Sequence, residues 1–147
     1  MTARDLMTPK PLTVSPQTSF AEVWDLMRDM EIRHIPVVQA GTLLGILSER
    51  DLARLDVNRV LTVEGADALR RDLATPVVDV MSADVITVEP EATLSDVVAV
   101  FLDSKVGALP VVEPSGEVVG IVSYIDVLRA LQDGLERISA LQKNAVE

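Results

Sequence analysis

An α+β fold made of two copies of one strand–helix–strand–strand–helix unit is predicted by three observations. First, the chain repeats itself. Between Asp5–Val38 and Asp79–Val112, 10 of 34 aligned residues are identical without a gap. Between Gly41–Leu55 and Gly116–Ala130, 6 of 15 are identical, after a one-residue insertion near Ser115. Second, each copy alternates short aliphatic runs with apolar stripes of helical period. Third, each copy spans only about 50 residues, too few to bury a sufficient core alone. The two copies are therefore expected to pack on each other about a pseudo-twofold axis, with clefts in matched pairs.

The opening strand of each copy is read at Leu12-Thr13-Val14 and Ile86-Thr87-Val88, stopped by Pro16 and Pro90. In the helices that follow, Phe20, Val23, Trp24, Met27 and Met30 form one stripe, and Leu94, Val97, Val98, Phe101 and Leu102 form the other. These side chains read as core rather than as a ligand box, because burial alone explains the stripe. Next come Ile35–Val38 and Leu109–Val112, turns carrying Gly41 and Gly116, and return strands Leu43–Leu47 and Val118–Val122. Ser48 and Ser123 then open the closing helices. Four segments result: a first repeat over 1–56, a linker over 57–75, a second repeat over 76–131 and a helical extension over 132–147. The linker carries a short helix around Ala66–Leu73. In the extension, Leu135, Ile138 and Leu141 continue a stripe begun at Leu128 and Leu131, with Gly134 as a weak interruption.

Composition excludes several function classes. No run approaches the roughly 18 apolar residues of a membrane span, and the N-terminus lacks a secretion signal, so a cytoplasmic location and no membrane partner are expected. There is no cysteine, hence no disulfide, thiolate metal site or cysteine nucleophile. A net charge of −10 opposes binding to a nucleic-acid backbone. It leaves room for a single nucleotide, since a few local cations set the potential of one cleft.

The most specific pattern is Gly45-Ile46-Leu47-Ser48-Glu49-Arg50-Asp51, echoed by Gly120-Ile121-Val122-Ser123-Tyr124-Ile125-Asp126. Ser-x-x-Asp at a helix start is a capping box. The same carboxylate can accept two hydrogen bonds from the adjacent hydroxyls of a ribose, beside N–H groups suited to phosphate. Both readings can hold together. His34 is the only histidine, so a Ser-His-Asp triad would depend on it alone, and no oxyanion loop accompanies it. No metal-ligand spacing and no Gly-rich phosphate loop occurs, so no enzyme activity and no catalytic or metal residue is expected.

In the order and duplication of these features the chain resembles two CBS domains joined as one CBS pair (a Bateman module). The resemblance rests on Asp5-Leu6-Met7 with Asp79-Val80-Met81, on His34–Val38 with Ala108–Val112, and on both Gly-x-x-Ser-x-x-Asp endings. It implies a βαββα fold in each domain and two clefts for adenosine-type ligands: AMP, ADP, ATP or S-adenosylmethionine. These act as regulatory ligands, with no cofactor required. Carried over, the first cleft uses Ser48 and Asp51, with Arg33 and His34 near phosphate and Ile86, Val106 and Gly107 as apolar wall. The second uses Ser123 and Asp126, with Leu12 and Ile32 as wall. Gly107 and Ala108 stand there in place of Arg33 and His34, and Ile125 in place of Arg50, so the first cleft is expected to bind phosphorylated adenosine more tightly. The resemblance implies a homodimer and an unidentified regulated protein. The alternatives are a ligand-free dimerisation or interaction module and, from another class, a catalytic protein.

Overall fold

A computed structural model of the protein describes residues 1–53 and 63–145. The last residues assigned to the first repeat, 54–56, the first part of the linker, 57–62, and residues 146–147 lie outside the described residues. Elements run in the order α1 (Ala3–Leu6), β1 (Thr8–Pro9), α2 (Phe20–Asp29), β2 (His34–Gln39), β3 (Thr42–Ser48), α3 (Glu49–Leu52), α4 (Val63–Ala74), a 3₁₀ turn (Val77–Asp79), α5 (Leu94–Ser104), β4 (Ala108–Val112), β5 (Val118–Ser123) and α6 (Tyr124–Asn144).

The helices start where the sequence supplies reciprocal caps. Ser19 Oγ accepts from Glu22 N at 3.2 Å while Glu22 Oε2 accepts from Ser19 N at 2.9 Å. Thr93 and Asp96 do the same for α5 at 3.2 and 2.9 Å, and each such cap stabilises its helix by about 1 kcal/mol. Helix α2 buries Phe20, Val23 and Met27, and α5 buries Val97. Met30 and Leu102, expected on these stripes, are exposed instead. Met30 is the C-cap of α2, where the stripe runs off the helix end.

The opening strands are shorter than expected: Val14 and Val88 form single parallel bridges to Val37 and Val111. Proline is the reason. Val14 N donates to the Pro36 carbonyl at 3.1 Å, and Val38 N donates to the Val14 carbonyl at 2.9 Å. Extending that ladder either way needs an N–H from Pro16 or Pro36, and neither has one. Pro90 and Pro110 limit the second copy in the same way.

The β2–β3 hairpin turns through Ala40 and Gly41, with φ of 49° and 79°, a two-residue turn whose twist suits a hairpin. Its register pairs Val37 with Gly45 and then Val38 with Leu43, leaving Leu44 as a bulge.

The chain divides into two compact units that do not coincide with the repeats. One comprises Pro11–Val85 with Gly116–Val118, the other Met1–Lys10, Ile86–Ser115 and Val119–Glu147. In the first, α2, β2, β3 and α3 enclose a core of Val14, Phe20, Val23, Met27, Ile35, Val37, Leu47, Leu52 and Val77. The chain around Val77 is stitched on by Phe20 N to the Thr75 carbonyl (2.9 Å) and Val77 N to the Thr18 carbonyl (2.8 Å). In the second unit the core is Ala3, Val88, Val97, Leu109, Val111, Val122 and Val127. Here the N-terminal segment is stitched on by Ala3 N to the Ala92 carbonyl (2.8 Å) and Leu94 N to the Met1 carbonyl (3.1 Å). Strand β1 then lies against β5, pairing Thr8 with Ile121 and Pro9 with Gly120. Thus the Asp5-Leu6-Met7 segment completes the unit of the second repeat, and Asp79-Val80-Met81 stays with that of the first.

Candidate functional site

Each Ser-x-x-Asp turn stands where a strand with a buried face ends and a helix begins. Ser48 closes β3 and caps α3, and Asp51 Oδ2 accepts from Ser48 N at 2.7 Å and from Ser48 Oγ at 3.1 Å. Ser123 closes β5 and caps α6, and Asp126 Oδ2 accepts from Ser123 N and Ser123 Oγ, each at 2.8 Å. Both carboxylates are thereby fixed in orientation by one oxygen.

The capping role is general in this chain. Boxes of the same kind occur at Thr2/Asp5, Ser19/Glu22 and Thr93/Asp96. What sets Ser48/Asp51 and Ser123/Asp126 apart is burial: their hydrogen bonds are partly buried, whereas those of the other three boxes are exposed.

The residue just ahead of β2 already takes one of the helix-end N–H groups expected for phosphate, and its counterpart just ahead of β4 does the same. Glu49 N donates to the Arg33 carbonyl at 2.8 Å, and Tyr124 N donates to the Gly107 carbonyl at 3.3 Å. In the second turn Asp126 N also donates to Ser123 Oγ, at 3.3 Å.

In the first unit the fold brings Arg33, His34, Ser48, Arg50 and Asp51 together at one end of β2–β3. His34 lies directly opposite Ser48 in the strand register. Burial holds its imidazole below the ordinary value, opposed by Asp51 and Glu49 and reinforced by the cations Arg33 and Arg50. At neutral pH His34 is therefore uncharged and offers a neutral donor or acceptor, which leaves the exposed Arg33 and Arg50 as the cations. In the second unit Gly107, the buried Ala108, Ser123 and Asp126 gather at the end of β4–β5. The expected wall residues divide between the units: Ile86, Val106 and Gly107 belong to the unit of Ser123, while Leu12 and Ile32 belong to that of Ser48.

One neighbour was missed from the sequence. Arg129 Nη1 lies 3.9 Å from Asp126 Oδ1, so the second turn does have a cation beside its carboxylate. Its i,i+3 spacing from Asp126 on a helix was the available signal. Among the described residues, no group of three His, Cys, Asp or Glu side chains could hold a metal ion. No helix among them is long and apolar enough to cross a membrane.

Residues 3–58 and 77–133 each match the family model of the CBS domain. The chain belongs to the CBS-domain family. It is similar to the CBS domain-containing protein YhcV of Bacillus subtilis, with 34% identity over 84% of this chain and 81% of the relative. CBS domains also explain a 36% match to the inosine-5'-monophosphate dehydrogenase of Korarchaeum cryptofilum, which covers 79% of this chain but only 21% of that enzyme. Among solved structures, the CBS-pair protein CBSX2 of Arabidopsis thaliana in complex with AMP superimposes with a TM-score of 0.75. It shares 29% identity, covering 90% of this chain and 96% of that one.

Proposed function

We propose that this CBS-pair protein is a regulatory sensor of adenine nucleotides, not a catalyst, and that it works in the cytoplasm as a homodimer that signals to a regulated partner protein. The observation that carries the reading is the duplicated, partly buried Ser–Asp turn at a strand–helix junction. The AMP complex of the relative CBSX2 supports it. Asp51 and Asp126 accept from ribose hydroxyls, a charge-assisted pairing that needs an oriented carboxylate. Arg33 and Arg50 attract the phosphate of the first site, with His34 as a neutral contact. The aliphatic side chains of Leu12 and Ile86, exposed at equivalent positions of the two repeats, are surfaces suited to an adenine ring. A ligand with unequal affinity for two states of the protein shifts the population toward the one it prefers.

Calorimetry with AMP separates ligand binding from capping. Asp96→Ala removes an exposed capping box with no proposed ligand role, so it lowers stability and leaves AMP affinity unchanged. Asp51→Ala and Asp126→Ala remove a box of the same kind and in addition weaken AMP by about 1.5–3 kcal/mol at their own site. The loss is larger for Asp51→Ala, because two arginines stand near it against one near Asp126. A larger loss for Asp126→Ala reverses that ranking. Unchanged affinity in both variants leaves a ligand-free interaction module, a reading that the wide use of capping boxes in this chain favours.

A further inference from the structure

His34 is the only histidine of the chain, and the fold fixes where its imidazole stands. It opens β2 directly opposite Ser48, the last residue of β3. Residues directly opposite in an antiparallel pair carry their side chains on one face of the sheet. Ile35, Val37 and Leu47 belong to the core of this unit, so His34 and Ser48 share the other face. There Ser48 also holds Asp51, through its backbone N at 2.7 Å and its Oγ at 3.1 Å. The bond from Glu49 N to the Arg33 carbonyl, at 2.8 Å, closes the same corner. Paired strands rather than a loop therefore hold the imidazole beside the carboxylate proposed to hold a ribose.

The charges around His34 are balanced in sign. Helix α3 brings Glu49, Arg50 and Asp51, and the residue ahead of β2 brings Arg33. Burial opposes a proton on the imidazole most strongly, Asp51 and Glu49 favour one, and Arg33 and Arg50 oppose it. Strand β3 carries no titratable side chain. Helix α2, which also packs on β2, carries Glu22, Asp25, Arg28 and Asp29. Glu22 is used in the cap of its own helix, and Arg28 pairs with both aspartates. A nucleotide phosphate upsets this balance, because it brings about 1.5 to 2 negative charges. Its attraction for a charged imidazole exists only in the occupied site and offsets the penalty of burial. His34 then holds a proton more readily with phosphate present than without it. By reciprocity the protonated protein holds the phosphate more tightly. In the second unit the buried Ala108 stands at the matching position, so no such coupling arises there.

We propose that the first site is proton-coupled: a 5′-phosphorylated adenosine and a proton on His34 bind together, so that nucleotide affinity at this site rises as the solution is acidified. This coupling rests on the nucleotide-sensor reading above and adds pH to it as a second input. Calorimetry with AMP on the full-length chain, from pH 7.5 to 6, tests it in the wild type and in His34→Gln. The phosphate itself gains a proton near pH 6, which works in the opposite direction. Both proteins share that effect, so the readout is the ratio of wild-type to variant affinity at each pH. The ratio grows by about three- to tenfold over this range, on the scale of tenfold for each unit by which phosphate raises the imidazole. A purely structural role for His34 lowers the affinity of the variant by one factor at every pH. A ratio that stays constant or shrinks on acidification, with AMP still bound, overturns the coupling and leaves the nucleotide sensor standing. No binding of AMP to the wild type at any pH overturns both. Should His34→Gln lose its fold, His34→Asn makes the same comparison.

Discussion

At Gly45 the backbone of β3 leaves no space for a side chain. A Cβ there would collide with the thioether of Met81 and approach the Ser82 carbonyl oxygen to 2.9 Å. Ile46 N and Ser82 N exchange hydrogen bonds with each other's carbonyls at 3.0 Å, so the crossing chain is not free to retreat. Gly45→Ala should therefore cost about 1–3 kcal/mol in urea unfolding, the usual scale of overpacking, and Gly120→Ala against Met7 should behave alike. His34 supplies a pH dependence. Its folded-state affinity for a proton is lowered by burial, so the unfolded chain binds the proton more readily. The stability this represents is complete above the unfolded value near 6.5 and falls as pH drops through the lower folded value. Thermal melts from pH 7.5 to 5 should show a decline in the wild type that is smaller in His34→Gln. The carboxylates Asp5 and Asp96, lowered by their capping hydrogen bonds, act in a separate window below about 3.8.

Among the elements, those legible in the sequence were the ones whose information is local. Stripes of period 3.6 located α2 and α5, and Gly41 and Gly116 marked the hairpins, both glycines having positive φ. The opening strands are shorter than their aliphatic runs suggest, and Pro16 and Pro36 are the reason the ladder stops at Val14. The placement of Asp5-Leu6-Met7 in the second repeat's unit, with Leu6 and Met7 packed against its core, was not legible. A short apolar segment carries no signal for which of two similar sheets it joins. The site was legible as chemistry but not as role, since Ser-x-x-Asp caps a helix whether or not a ribose binds. Helix α6 tolerates a weak breaker, because Gly134 sits within it without ending it. Since a Cβ there meets nothing, Gly134→Ala should raise stability by about 0.5–1 kcal/mol and increase helicity in circular dichroism. Unchanged melting would mean that the extension contributes nothing to the cooperative unit.

For the whole molecule, the repeated order of bridge, helix, hairpin and helix gives two units of one design, differing where ligand chemistry would be decided. Arg33, His34 and Arg50 in the first stand against Gly107, Ala108 and Ile125 in the second, with Arg129 as the second turn's cation. A chain of net charge −10 repels anions at long range, so nucleotide binding of the kind proposed should depend on these few local cations and weaken as salt is raised. The measurement that bears most directly on the account is titration of the purified wild-type protein with AMP, ADP, ATP and S-adenosylmethionine. Heat and melting temperature are followed together. At least one of these ligands should bind saturably and, at 100 times its dissociation constant, stabilise the native state by about 2.7 kcal/mol. No heat and no shift in melting temperature with any of the four up to millimolar concentration would contradict the adenine-nucleotide sensor.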